Sequence, residues 1–503
     1  MKKKISIALS ALVAAASLSA CSVGNSTGIL DVEIPEFADT QGISFSAYSG
    51  PTVENWSGGS KNVSTITDEH FQKFVDAGFT HLLAVHEGAR VRATTKEYVD
   101  ADGNKVYDAT STVEDSARRA EEDALEVLAL AEKYGIKYYV RDWAFYDMNN
   151  TETWKLWQAY DTPEKYEEAL RIMFNDNTQY IHSSAYAGNF GRDEPGVDQF
   201  ERLKWQIEIY QKIMAEYGVE GEFLLNLLPS YGGLTSYGGV SYSEYIDRYF
   251  EDLAPLLGYI CYDFYPFKGN ADGTSQMKPS MASNLALVAN KCKGTDYQLR
   301  TFVQTGGDFT GLRDLTSIGD FRLQVYTNLA FGSSYMTYYE YGTFNSQDEG
   351  EFGLINLQDG TYNYTYDMVK TVNNEVHAFE DAFLNFKWDG VMCFSSLPAG
   401  KINPKFKEVP YALKEHPRVE SVNITKDALI GTFKDAEDRD AFMLVNFNDP
   451  FYNEENEVTI KFKDAKALLM YRFGQQEVVP LKKDGSYTFK LYPGEGRFII
   501  PLS

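Results

Sequence analysis

The run Tyr186-Ala187-Gly188-Asn189-Phe190-Gly191-Arg192-Asp193-Glu194-Pro195-Gly196 decides how this chain is read. Tyr186 to Gly191 reads as a buried strand, and a helical pattern starts at Val197. Two adjacent carboxylates, Asp193 and Glu194, therefore stand at the C-terminal end of a strand, beside a proline that stops it. A carboxyl held in a crowded, partly dry place keeps its proton near neutral pH and can act as a general acid. The same residues also read as an N-terminal helix cap, with Asp193 or Glu194 serving the helix dipole.

Outward from this stretch, the chain alternates strand-like and helix-like segments eight times between Gly42 and about Asn385. The strands are apolar runs bounded by turn residues: Gly42–Tyr48, Thr80–His86, Lys137–Trp143, Tyr186–Gly191, Glu222–Leu228, Gly258–Tyr262, Gln298–Gln304 and Ser334–Tyr339. Val113–Tyr134 places Ala117, Ala120, Ala124, Leu125, Val127, Leu128 and Ala131 on one broad face, a helical period, and Gly135 ends it. Val197–Tyr217, Tyr242–Leu257 and Ile318–Phe331 read the same way. Eight serial βα units predict an α/β fold, a closed (β/α)₈ TIM barrel over residues 41–388, with an open doubly wound sheet as the alternative. Catalytic side chains of such barrels project from the C-terminal strand ends. From residue 389 to 503 the texture changes to short alternating runs, Ala428–Phe433, Asp440–Phe447, Glu457–Phe462, Ala467–Phe473 and Gly485–Leu491. Together with the closing run at Arg497–Ile500 they predict a small C-terminal antiparallel β-sandwich.

Residues 1–20 read as a leader: Lys2-Lys3-Lys4, then an apolar stretch from Ile5 to Ala16 too short to span a bilayer. Leu18-Ser19-Ala20-Cys21 resembles a bacterial lipobox. That resemblance implies cleavage before Cys21, lipidation of its sulfur, and an extracytoplasmic protein lipid-anchored to the cell membrane, with residues 21–40 as a tether. The alternative is an ordinary secretory signal that happens to contain a cysteine. Without the leader's three lysines, 44 of the 47 basic residues face 72 acidic ones, about −28 net. This balance argues against nucleic acid and anionic headgroups as partners and suits a neutral or cationic substrate. Cys261, Cys292 and Cys393 show no paired spacing, so no disulfide framework is indicated, although a Cys261–Cys292 bridge stays open.

The strand ends collect carboxylates, amides and aromatics: Tyr48, His86, Asp142, Trp143, Asp193, Glu194, Asn226, Asp263, Tyr265, Gln304, Tyr338 and Glu340. Carboxylates and amides fix hydroxyls, while tyrosine and tryptophan rings pack sugar faces, and the chain has 35 Tyr, 32 Phe and 6 Trp. Most of these rings are core, the phenylalanines above all. Glycoside hydrolysis needs two carboxyls flanking the bond, one protonating the leaving oxygen and one attacking or activating water. Glu194 is the expected acid, with Asp193 beside it; Asp263 and Glu340 are the candidates for its partner. Either candidate can instead be structural, Asp263 fixing a turn and Glu340 pairing with Arg192 or Arg313. Tyr48, His86, Asp142, Trp143, Asn226, Tyr265, Gln304 and Tyr338 are the expected substrate-binding set.

Gly-Arg-Asp-Glu-Pro-Gly at 191–196, Asn-Leu-Leu-Pro at 226–229, Tyr-Asp-Phe-Tyr-Pro-Phe at 262–267 and Val-Gln at 303–304 resemble the barrel of clan A-type glycoside hydrolases. The β-galactosidase-like lineages of gut and soil bacteria are the nearest in pattern, and Arg322 to Gly332 leading into Tyr338 fits them too. The resemblance covers the barrel and implies Glu194 as acid/base. Two departures stand out. The clan's asparagine before the acid is Asp193 here, and Gln304 occupies the strand-7 end where the clan has its nucleophilic glutamate. An amide cannot form a glycosyl ester, so the second carboxyl stays unassigned.

The expected function is a glycoside hydrolase acting at the cell surface on a plant or host oligo- or polysaccharide, with no cofactor, no metal and no obligate protein partner. The alternative is a non-catalytic carbohydrate-binding lipoprotein, either a degenerate barrel or a transporter-type sugar-binding protein; eight serial βα units and a terminal sandwich argue against the two-lobed transporter type. The six histidines form no His-x-His or His-Glu-x-x-His arrangement, which argues against a metal-dependent hydrolase. No glycine-rich phosphate loop points to a nucleotide.

Overall fold

A computed structural model describes residues 32–52, 55–57, 60–83, 97–99, 105–107, 113–141, 143–149, 155–307, 311–343 and 353–503. Eight parallel strands form the barrel: Ser44–Tyr48 (β1), His81–Leu83 (β2), Lys137–Val140 (β3), Tyr186–Asp193 (β4), Glu222–Asn226 (β5), Tyr259–Tyr262 (β6), Gln298–Gln304 (β7) and Tyr335–Tyr339 (β8). They run in chain order around the sheet, with β8 paired to β1. The seam between β5 and β6 is bridged at Leu227 and Tyr262, with the Leu227 N–H donating to the Cys261 carbonyl at 2.9 Å. Helices follow the strands: Asp68–Asp76 (α1), Val113–Tyr134 (α2), Pro163–Met173 (α3), Phe200–Glu216 (α4), Tyr242–Asp252 (α5), Met281–Cys292 (α6), Ile318–Ala330 (α7) and Tyr364–His377 (α8). On α2, Ala124, Val127, Leu128 and Ala131 are buried as the period requires, while Leu125 stays exposed.

Strand periodicity sorts each barrel residue inward or outward. Inward-facing Leu83, Tyr139, Phe190, Leu224, Tyr259, Cys261, Phe302 and Tyr335 make one core, and the outward set packs against the helices as another. At the barrel floor Arg300 of β7 forms a two-pronged ion pair with Glu222 of β5, at 2.7 and 2.9 Å, and Tyr139 of β3 donates its hydroxyl to the same carboxylate at 2.6 Å. The guanidinium lies over the Tyr259 ring, 3.9 Å from its centroid. Burial first, and the Arg300 charge second, push the His81 pKa down to about 3. That imidazole stays neutral.

The C-terminal region is an antiparallel sandwich whose strands are Phe386–Phe394 (β9), Val419–Ile424 (β10), Ala428–Asp435 (β11), Asp440–Asn446 (β12), Asn456–Phe462 (β13), Ala467–Arg472 (β14), Gln475–Pro480 (β15), Ser486–Leu491 (β16) and Gly496–Leu502 (β17). A six-stranded sheet, β9-β11-β12-β17-β14-β15, faces a three-stranded one, β10-β13-β16. Ile430, Phe442, Leu444, Leu468 and Ile499 of the larger sheet pack on Val458, Ile460 and Phe489 of the smaller. Its other face, through Leu429, Phe433, Met443 and Phe498, merges with the barrel core. Gly431 sits at this join because a Cβ there would lie 2.1 Å from the Ala330 carbonyl oxygen of α7. The chain enters the sandwich at Phe386, at the first strand of the larger sheet.

Gly431→Val should therefore lower stability by about 3 kcal/mol, since backbone stands in the way and cannot yield like a side chain. Urea unfolding followed by far-UV circular dichroism checks this; a midpoint shift equal to that of an exposed-surface substitution would contradict it.

Candidate functional site

The strand-4 end is built by a β-bulge. Pairing of β4 with β5 runs Phe190 to Leu224, then jumps to Arg192 opposite Leu225 and Asp193 opposite Asn226. Without the extra residue, alternation from inward-facing Phe190 would point Arg192 into the barrel; with it, Asp193 points in. Gly191 allows this because a Cβ would lie 2.3 Å from the Phe223 ring. Arg192 is buried and its guanidinium donates to the Gln199 side chain. Glu194 then adopts the left-handed backbone region, with φ 47°. A non-glycine residue held there needs fixed neighbours. They are present: the Glu194 N–H donates to the Asn226 carbonyl at 2.9 Å, and the Tyr245 hydroxyl donates to the Pro195 carbonyl at 2.9 Å. The helix-cap reading does not hold. A 3₁₀ turn, Val197–Gln199, intervenes, and Gln199 occupies the cap position of α4 without a side-chain capping bond.

Three carboxyls meet at the mouth. Asn226 donates its side-chain amide to Asp193 Oδ1 at 3.1 Å, and Cys261 donates to Asn226 Oδ1 at 3.7 Å. Asp263 is buried; among the described residues its Oδ1 has no N–H or hydroxyl donor, although the carboxylate also takes a bond from the Asn226 side chain. Glu194 lies within hydrogen-bonding reach of it. Two carboxyls in contact at a desolvated place share a proton, because both cannot ionise cheaply. Burial, followed by the Glu194 and Asp193 charges, holds the Asp263 carboxyl well above the usual range. Burial likewise raises Asp193, against the opposing pull of Asn226, Arg141 and Arg192. Glu194 has exposed surface as a residue, but its carboxyl end is turned into this cluster; burial there and the Asp193 charge push it up to about 7.

Aromatic rings wall the mouth. Tyr48 packs on Tyr339 at 5.1 Å and Tyr339 on Tyr265 at 5.4 Å, which spans the ends of β1, β8 and β6. The Tyr265 N–H donates to the half-exposed Tyr231 hydroxyl at 3.2 Å. Arg141, at the end of β3, lies over the Tyr146 ring at 3.8 Å and its charge reaches Tyr48 and Asp193.

Of the expected site residues, Asp193, Glu194, Asp263, Asn226, Tyr48 and Tyr265 come together here. Glu340 sits half-buried after β8, its carbonyl accepting from the Thr305 hydroxyl at 2.9 Å. Arg313 is not its partner, being engaged by Asp320 and Asp449. Two expectations need correction. Tyr338 faces the helices, fully buried, and donates its hydroxyl to Asn373 of α8 at 2.5 Å; one residue along the strand, Tyr339 takes the inward place. Gln304 is fully buried, and its amide is consumed by main chain: it accepts from Phe267 N–H at 3.1 Å and donates to the Gly306 and Arg313 carbonyls at 3.0 and 3.1 Å. It clips the loops after β6 and β7 together and leaves no amide for a substrate. Trp143 opens a short helix, Trp143–Asn149. His86, Asp142 and Cys21 lie outside the described residues. Cys261, Cys292 and Cys393 are free thiols, so the Cys261–Cys292 bridge is absent. Arg141 was not foreseen, and the strand-8 end offered both Tyr338 and Tyr339; the period of two, anchored on Tyr335, selects Tyr339.

No family model matches the chain. No curated protein matches it either. Among solved structures, a glycoside hydrolase family 5 protein from Bacteroides vulgatus is similar in fold, with a TM-score of 0.51, 11% identity, and coverage of 91% of this chain and 89% of the other. A β-galactosidase from the psychrophilic Marinomonas ef1 aligns with a TM-score of 0.43 at 11% identity, over 68% of this chain, which spans 60% of the length of that enzyme. A GH51 arabinofuranosidase from Xanthomonas axonopodis pv. citri aligns with a TM-score of 0.44 at 8% identity, covering 92% and 96% of the two chains. The barrel-plus-sandwich fold of this chain is thus similar to that of the family 5 protein.

The crowding at Asp263 has a sign that can be tested. A carboxyl whose folded pKa is raised weakens the fold once the pH exceeds the pKa it has when unfolded. Asp263→Asn should therefore raise stability at pH 7 by about 0.5–2 kcal/mol, with the gain fading below pH 4. Thermal unfolding of both proteins across that range measures it; a gain that grows on acidification would contradict the shared proton.

Proposed function

We propose that the barrel mouth cleaves glycosidic bonds, with Glu194 as the general acid. The observation that carries this reading is the meeting of carboxyls from the strand-4 and strand-6 ends at a desolvated mouth walled by tyrosine rings. Glu194 holds a proton near pH 7 beside buried Asp263, under a wall of tyrosine rings. Aromatic faces and carboxylates together suit a polyhydroxylated ring. The fold shared with glycoside hydrolases agrees with this.

The geometry also supports a division of the carboxyl roles. Carboxyls flanking a scissile bond stand about 5–5.5 Å apart in retaining enzymes and about 6.5–9.5 Å apart in inverting ones. Glu194 and Asp263 touch, so they cannot flank a bond together. Burial and the Asp193 charge keep Glu194 protonated, while Asp263, holding its own proton, donates to Glu194 and pulls the other way. Glu340, at the β8 end, is the proposed carboxylate on the other side, attacking the anomeric carbon or activating water. When the bond breaks, the Glu194 proton passes to the leaving oxygen. The substrate proposed is a β-linked plant or host glycan, and the leader at residues 1–20 with Cys21 would anchor the protein at the cell surface.

One observation favours a second reading, a barrel that binds glycans without cleaving them: β7 ends in Gln304, locked by main chain, and contributes no carboxyl. Hydrolysis of plant and mucosal glycans by the purified chain separates the two. Glu194→Gln should reduce turnover about 10²–10⁴-fold. Wild-type turnover should fall as the pH rises through about 7, where Glu194 loses its proton. The anomer first released gives the stereochemistry, and Glu340→Gln should be as damaging as Glu194→Gln. Glycan binding without released sugar from wild type would replace the hydrolase with the binding barrel.

A further inference from the structure

A second cavity, of about 370 Å³, opens where the sandwich reaches the barrel rim. That volume falls at the small end of the range, about 300–1,000 Å³, typical of small-molecule sites. Its walls come from three places. One is the hairpin Phe267–Gly269 with Ser275–Met277, which starts four residues beyond Asp263. Another is the loop after β7, carrying Arg313, Asp314 and Thr316; the third is the turn Pro450–Tyr452 of the sandwich, carrying Phe451. The first two are the segments that Gln304 clips together at the barrel mouth.

The walls are fixed by one buried cation. Arg313 donates Nε to the Ser275 hydroxyl at 2.7 Å, Nη1 to the Asp314 carbonyl at 2.9 Å, and Nη2 to Asp449 at 3.1 Å and to Asp320. Ser275 donates to Asp449 at 2.6 Å, and the Tyr452 hydroxyl donates to the Ser275 carbonyl at 2.6 Å. Hairpin, loop and sandwich are thus joined before any ligand arrives, which lowers the ordering cost of binding. The guanidinium is already committed to two carboxylates, and among the described lining residues there is no other cation for a phosphate or sulfate. What it offers is the ring of Phe451, 43% exposed and with Arg313 over one side at 5.6 Å from its centroid, and the exposed side chains of Asn270, Thr316 and Asp314, the last also accepting from the Gly307 N–H. An apolar plate rimmed by an amide, a carboxylate and a hydroxyl matches a neutral sugar ring, apolar on its C–H face and hydroxylated at its edge.

We propose that this cavity is an outlying sugar subsite, seating a neutral unit of a glycan chain remote from the bond at Glu194. The proposal rests on the glycan reading of the mouth and extends it to the length of the substrate: the sandwich contributes to holding long chains. The test is isothermal titration of the full chain carrying Glu194→Gln with β-linked gluco-, manno-, xylo- and galacto-oligosaccharides, from disaccharide to hexasaccharide. At least one series should bind tighter as it lengthens, by about fivefold or more, and Phe451→Ala should remove that gain while Phe451→Tyr retains it. Phe451 is surface-exposed, so its loss should leave the thermal midpoint unchanged. A length-dependent gain that survives Phe451→Ala overturns the subsite and leaves the hydrolase reading intact. A Phe451-dependent gain in a chain whose wild type releases no sugar keeps the subsite and overturns the hydrolase. Binding that does not grow with length in any series overturns the subsite.

Discussion

Everything above the barrel floor rests on the ion pair between Arg300 and Glu222. Eight strands enclose a volume that must be filled by side chains. Here the filling begins with a guanidinium stacked on Tyr259, gripped by a carboxylate and steadied by Tyr139. Removing Glu222 would leave the buried Arg300 charge uncompensated, commonly a loss of about 3–5 kcal/mol. On that base stand Phe190, Cys261 and Phe302, a dry layer of rings and sulfur. The next layer holds Asp193, Asn226 and Asp263. The carboxyls are therefore desolvated from below and open only above, which is why burial leads the causes of all three raised pKa values. Chemistry at the mouth follows from how the interior is plugged.

The strand rhythm and its order were legible from residues 42 to 385, because parallel barrel strands are apolar on both faces and stand out against polar loops. The sandwich strands that went unread were β9, β10 and β15. All three are sheet edges, β10 with exposed Glu420, Ser421 and Asn423 and β15 with exposed Gln475, Gln476 and Glu477. Edge strands carry polar residues that discourage further pairing, and so lose the alternation that marks a strand. β9, also at an edge, carries Lys387 and Asp389 among its apolar residues.

At the site, residue type was legible and direction was not. Tyr338 and Tyr339 are identical in chemistry, and only the inward register of β8 tells them apart. Asp193 and Arg192 exchange roles through a single bulged residue that no local pattern announces. The contact between Glu194 and Asp263 joins the ends of β4 and β6, segments separated by a complete βα unit. Gln304 stood where a carboxylate would be expected, and its burial shows what the amide does there: it satisfies a donor and two carbonyls where an ionised carboxylate, an acceptor only, would leave the carbonyls unpaired.

The six-stranded sheet is buried on both faces, one in the sandwich and one against α7, with Gly431 pressed to the Ala330 carbonyl. A party wall of this kind has no hinge. Sliding the sandwich across the barrel would drive backbone into backbone at Gly431 and pull Phe383, Phe433 and Phe498 out of a cluster of edge-to-face rings. The two halves of the chain thus behave as one stiff body, and the distance between the barrel mouth and the rim that the sandwich contributes is set when the protein folds. Any ligand that bridged the two places would meet a spacing as fixed as that of a gauge.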